Sequence, residues 1–211
     1  MPQGLDTVRL TDRPLVVCDV DDVVLQFVTP FRAFLESRGH RLLPRSFRLH
    51  GNIVGLSDET ALEDSVVSGL LEAFFAAQET WQEPFEGVAD TLERIAAGAD
   101  LVFLTAMPPR HAETRRRLLD RFALPYPLIA ADEAKGPLVH RLHNRRRIPV
   151  AFVDDMAHNL RSVGEHVPDC LLIHLPPPVD IHQLAPPAAD PARKARDWDE
   201  AERLLAAHFA T

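Results

Sequence analysis

Cysteine is scarce, with two in 211 residues. Cys18 and Cys170 both sit in apolar runs and lack CxxC spacing, and two are too few for the disulfide framework of a small secreted domain. Each reads as a small core side chain rather than a nucleophile or a zinc ligand. No apolar run approaches the roughly 20 residues that a membrane-spanning helix needs. The polar stretch Met1–Arg13 lacks the apolar centre of a signal peptide. A soluble, cytoplasmic protein is therefore expected. Basic residues are also short: 23 Lys and Arg stand against 31 Asp and Glu, a formal net charge of -8. Basic runs are local, such as Arg145-Arg146-Arg147, which reads as a solvated helix end. A nucleic-acid polymer is not expected as a partner, whereas a small phosphorylated substrate needs only a few local cations. The ten histidines show no ligand spacing. His140 and His143 read as surface residues, and His158, beside an acid pair, is the better pocket candidate. There is no internal repeat.

What is present begins at Pro14. The run Leu15-Val16-Val17-Cys18 leads straight into Asp19-Val20-Asp21-Asp22. A continuous apolar run reads as a strand buried on both faces, in the middle of a parallel sheet. Leu101-Val102-Phe103-Leu104, Pro127-Leu128-Ile129-Ala130, Val150-Ala151-Phe152-Val153 and Cys170 to Ile173 read as further strands, the last being the final one. Helices are expected at 88–98, 111–122, 135–144, 156–166 and 198–209. This alternation predicts an α/β fold with a doubly wound parallel sheet. The six prolines between Pro176 and Pro191 predict an extended surface connection. Before residue 84 the pattern differs. Thr29-Pro30 reads as a helix start, residues 40–56 as irregular, and a long helix is expected from Ser57. In that helix Val66, Val67, Leu70, Leu71, Phe74 and Phe75 recur at helical spacing. Residues 1–26 and 84–211 are thus expected to form the core, with 27–83 a helical insertion standing over the carboxyl end of the sheet as a lid.

Three strands end in polar groups: Asp19 and Asp21, then Thr105, then Asp154 and Asp155. Lys135 starts the helix between the last two. In a parallel sheet these gather at one edge, where ligands of α/β proteins collect. Crowded carboxylates repel one another, so a hard cation suits them. A hydroxyl and an ammonium suit phosphate oxygens.

These four segments, in this order, resemble the haloacid dehalogenase superfamily in its phosphatase branch. Its DxD strand is matched by Val16-Val17-Cys18-Asp19-Val20-Asp21, its Thr strand by Leu101–Thr105, its Lys by Lys135, and its acid pair by Asp154-Asp155. The resemblance spans roughly residues 14 to 175. It implies a Rossmann-like core with a small helical cap, and a phosphatase acting on a small phosphorylated metabolite with Mg²⁺ as cofactor. Asp19 would form an aspartyl-phosphate and Asp21 would act as acid and then base. Thr105, Ala106 and Lys135 would hold phosphoryl oxygens. Asp19, the Asp21 carbonyl and the pair Asp154 and Asp155 would hold the metal, with Asp155 favoured as the direct ligand and Asn159 standing where an outer acid often sits. Asp22 occupies a position where the family often has glycine. The residue Asp21 argues against a dehalogenase. A catalytically quiet protein that binds a phosphorylated ligand or partner, and a deoxynucleotidase-like or phosphomutase-like relative, are the alternatives. Phe27, Arg32, Arg45, Arg48, His50 and Asn52 are candidates for substrate contact.

Overall fold

The computed structural model describes residues 3–144 and 146–210; Arg145 of the basic run lies outside them. Leu15–Cys18 forms β1, buried at every position. Val28–Glu36 is α1, and it starts one residue before the Thr29-Pro30 signal. The cap is Asp22, whose carboxylate accepts from the backbone N–H of Phe27 at 2.8 Å and of Val28 at 3.3 Å. Residues 40–56 are irregular only between 43 and 52 and at 56. His40–Leu42 (β2) and Ile53–Gly55 (β3) pair antiparallel, three residues each, too short to show an alternation. The long helix starts later than Ser57, at Asp64, because residues 56–58 form a turn and Glu59 has a positive φ of 54°. It runs as α2, Asp64–Ala76, followed by α3, Gln78–Trp81. Val66 is exposed, whereas Val67 and Phe74 are buried with Phe31, Phe34 and Ile53 in an apolar cluster of the segment's own. Phe31 and Phe74 meet edge-on, centroids 5.2 Å apart. The segment is therefore mixed, not wholly helical.

From residue 88 the alternation is regular. Val88–Gly98 (α4), Asp100–Thr105 (β4), Ala112–Arg121 (α5), Leu128–Ala130 (β5) and Lys135–His143 (α6) lead to Val150–Asp154 (β6). Ala157–His166 (α7), Leu171–His174 (β7), a short extra strand Arg193–Lys194 (β8) and Trp198–Phe209 (α8) complete the chain. Six strands pair in parallel in the order β5-β4-β1-β6-β7-β8. Successive residues of β1 point to opposite faces. Val16 and Cys18 pack with Leu92 of α4, Leu118 of α5 and Leu205 of α8; Leu15 and Val17 pack with Leu138 of α6 and Leu160 of α7. That is the doubly wound arrangement. The chain winds outward from β1 through β4 to β5, then returns to β6 on the other side, so a crevice opens beyond the carboxyl end of β1.

The proline-rich connection departs from expectation. It forms a 3₁₀ turn, Asp180–Leu184, with Ile181 and His182 buried. Ile181 enters the apolar cluster of the 28–81 segment, and Asp180 pairs with Arg32. The connection is a strap joining that segment to the sheet. Short turns leave no periodic pattern to read.

Candidate active site

β1 lies between β4 and β6 with Cys18 level with Phe103 and Val153, so Asp19, Thr105 and Asp154 share one sheet edge. The Asp19 N–H donates to the Val153 carbonyl at 2.9 Å. Lys135, first residue of α6, donates through Nζ to Asp19 Oδ1 and, at 2.7 Å, to Asp154 Oδ2. Asp154 is saturated further: Asn159 Nδ2 reaches both its oxygens at 3.1 Å and the Met156 N–H reaches Oδ1 at 2.8 Å. Asp155 is different. Among the described residues no donor bonds its carboxylate, and the nearest cationic candidate is His182 Nδ1 at 3.7 Å. Its main-chain carbonyl meets His174 Nε2 at 2.8 Å, which holds the residue in place. Asp19, Asp154 and Asp155 each present an oxygen within 4.8 Å of the others.

All three acids and Lys135 are buried. Burial pushes the Asp19 carboxyl up to about 7, with the charges of Asp154 and Asp21 adding to the rise and Lys135 opposing it. Burial also holds Asp155 well above the carboxylate range, reinforced by Asp154, Asp19 and Asp22. Burial alone would lower Lys135, but Asp154 and Asp19 outweigh it and keep the ammonium above its ordinary value. One buried ammonium thus stands among three buried carboxyl groups, and the raised values of Asp19 and Asp155 express that crowding.

A second layer surrounds this centre. Asp21 accepts from Arg115 at both oxygens, at 2.9 and 3.1 Å, from Gln82 Nε2 at 2.9 Å and from the Thr105 hydroxyl at 3.2 Å. Arg115 is wholly buried and also donates to Gln78 and, at 3.0 Å, to Gln82. Asp22 sits at φ 59°, the left-handed region that glycine adopts freely and Asp tolerates better than most. Its second oxygen meets His182 Nε2 at 2.9 Å. Above the acids lies a cavity of about 370 Å³, floored by Asp19, Asp21, Thr105, Lys135 and Asp155. Its walls include Ala106, His158, Asn159 and His182, and its roof comes from the 28–81 segment and the residue before it.

No family model matches the chain, and no curated protein is similar to it in sequence. Solved structures are similar in fold. A haloacid dehalogenase-like family hydrolase from Xanthomonas campestris superposes over 94% of this chain and 93% of its own, at 16% identity and a TM-score of 0.58. A HAD family hydrolase from Deinococcus radiodurans, with bound phosphate and sodium, covers 92% and 95% at 16% identity and 0.60. This is the haloacid dehalogenase-like fold. A predicted phosphoglycolate phosphatase from Haemophilus somnus also shares it, at 14% identity, 0.59, and 92% and 98% coverage.

Within this haloacid dehalogenase-like frame, Asp19, Asp21, Thr105, Ala106, Lys135 and Asp155 all reach the cavity, while Asp154 lies beneath it. Of the candidates for substrate contact, Phe27 and Arg48 line the cavity. Arg32 does not; it is spent on Asp180. Arg45 and His50 are outside the lining, and Asn52 is buried, donating to the Ser46 and Arg48 carbonyls at 2.8 and 2.7 Å. It shapes the loop that presents Arg48. Arg115 was missed, although Leu118 and Leu119 lie three and four residues on, which puts all three on one helix face. His182 and Gln82 carried no such signal. Cys18 is buried and its thiol is raised well above its ordinary value by burial, as a core side chain.

Proposed function

We propose that this protein is a magnesium-dependent phosphomonoesterase that works through an aspartyl-phosphate on Asp19. The observation that carries the reading is the three buried acids gathered around Lys135, with no hydrogen-bond donor to the Asp155 carboxylate among the described residues. The carboxylates are hard oxygen donors of the kind Mg²⁺ takes. Asp19, Asp155 and the Asp21 carbonyl would hold the ion directly, while Asp154, already saturated, would support Lys135. When bound, Mg²⁺ offsets the carboxylate charge and draws charge from the phosphoryl oxygens.

The protein groups would act in sequence. Lys135 holds an Asp19 oxygen in place, and the other attacks phosphorus as the ester P–O bond breaks. Asp21 gives its proton to the leaving alkoxide. It then takes a proton from water, which attacks phosphorus and breaks the acyl phosphate, freeing phosphate and restoring Asp19. Lys135, the Thr105 hydroxyl and the Ala106 N–H would hold the phosphoryl oxygens. The 28–81 segment would serve as a cap that shuts water out.

The test is phosphate release from a panel of phosphomonoesters with Mg²⁺, with chelator, and with Asp19→Asn. Turnover that needs the ion and falls by orders of magnitude in the variant is the expected result. A second reading, binding without turnover, draws on one observation: both oxygens of Asp21 are engaged by Arg115, Gln82 and Thr105. No release from any ester, with ligand still bound, would favour it.

A further inference from the structure

The floor and roof of the cavity differ in kind. The floor is charged; the roof presents Phe27, Val28, Phe47, Leu49 and Phe75 with a single polar side chain, Arg48. A phosphorylated sugar or polyol would bring several hydroxyls against this roof. Each hydroxyl buried without a partner costs on the order of 1–3 kcal/mol; the roof itself offers Arg48 alone, and on the walls Asn159 and His182 are engaged with Asp154 and Asp22, which leaves His158. A long alkyl chain fails on size, since about 370 Å³ is near the small end for ligand sites.

Three of the roof side chains are aromatic. Phe27 and Phe75 are stacked, with centroids 5.8 Å apart and planes 29° from parallel, and both are only partly buried. Phe47, on the loop after β2, has its ring 5.2 Å from that of His182. Met107 also lines the cavity with a polarizable thioether, which favours aromatic neighbours. Arg48 lines the cavity and, among the described residues, has no carboxylate partner. It can stack on a ring or donate to a ring carbonyl or nitrogen.

We infer that the substrate is a phosphomonoester whose leaving alcohol carries a flat aromatic ring with acceptor atoms, of the nucleoside 5′-monophosphate type. The inference rests on the phosphatase reading for the floor and adds the identity of what the roof holds. The decisive comparison is between nucleoside 5′-monophosphates and ribose 5-phosphate, because the scissile ester is the same and only the ring differs. A pyridine-methyl phosphate forms a third arm, separating a nucleoside from another heteroaromatic alcohol. Stacking of one ring predicts a kcat/KM roughly tenfold or more higher for the ring-bearing esters. Phe47→Ala and Arg48→Ala should each move that ratio toward one, and circular dichroism would verify the fold of each variant. Equal or better turnover of ribose 5-phosphate would overturn the inference and leave the phosphatase reading standing. If no ester is cleaved, calorimetry on Asp19→Asn with the same compounds decides. Tighter binding of the ring-bearing esters would uphold the ring site while the hydrolytic reading fails; no preference would overturn the inference.

Discussion

A carboxyl group that titrates near pH 7 when folded and near 4 when unfolded makes stability depend on pH in a known direction. Asp19 is such a group, raised to about 7 chiefly by burial. Its contribution is fully present below the unfolded value and is lost as pH rises through the folded one. In chelator, the melting temperature should therefore fall between pH 5 and pH 8. Asp19→Asn should flatten that fall, and thermal melts of both proteins across this range are the check. Arg115 is the other residue on which much depends. It is wholly buried, and its removal would leave Asp21, Gln78 and Gln82 facing an empty site. Breaking a fully buried charged pair from one side costs about 3–5 kcal/mol, and because Asp21 is 19% exposed and keeps Gln82 and Thr105 the loss here falls at the low end. Arg115→Met should lower the urea midpoint accordingly. Three of the four site motifs were legible because each ends an apolar run, and the fourth, Lys135, because it opens a helix between two of them, which are local patterns. Arg115 and His182 were not read as site residues, since their roles depend on which elements meet in space.

Among the elements, the turn from β1 into α1 joins two jobs in one residue. Asp22 takes a left-handed backbone conformation and caps the helix, and it holds His182 of the strap. Loss of a cap costs about 0.5–2 kcal/mol, and a Cβ in the left-handed region adds about 1–2 kcal/mol. Asp22→Gly forfeits the cap but relieves the strain, whereas Asp22→Ala forfeits the cap and keeps the strain. Denaturation should rank the wild type first, the glycine variant second and the alanine variant last. The same turn explains the misread helix start. Thr29-Pro30 satisfies the usual signal, yet a side chain five residues upstream of Phe27 does the capping. The β2–β3 pair escaped notice for a related reason, since three-residue strands cannot display a period. The sheet, by contrast, was legible in nearly every strand, because fully buried parallel strands are continuous apolar runs.

For the whole molecule, the crowding of buried carboxyl groups around Lys135 makes cation binding a matter of stability as well as chemistry. A ligand at 100 times its dissociation constant that binds only the folded chain adds about 2.7 kcal/mol. For a chain of this size that is worth about 2–4 °C per kcal/mol. Mg²⁺ should raise the melting temperature by several degrees, more at pH 8 than at pH 5, and chelator should reverse it. The strap has a consequence of another sort. Asp19 meets Lys135 across 116 positions of sequence, Asp22 meets His182 across 160, and the Trp198 indole donates to Val23 across 175. In the order in which a ribosome makes it, the strand bearing Asp19 is among the first parts out and among the last to be finished. It waits for β4 before it has a neighbour, for Lys135 before it has a counter-charge, and for α8 before one face is covered. Contacts this distant make folding slow, and a chain halted before the strap would carry every acid of the site and the segment that roofs it, but not the His182 that Asp22 holds.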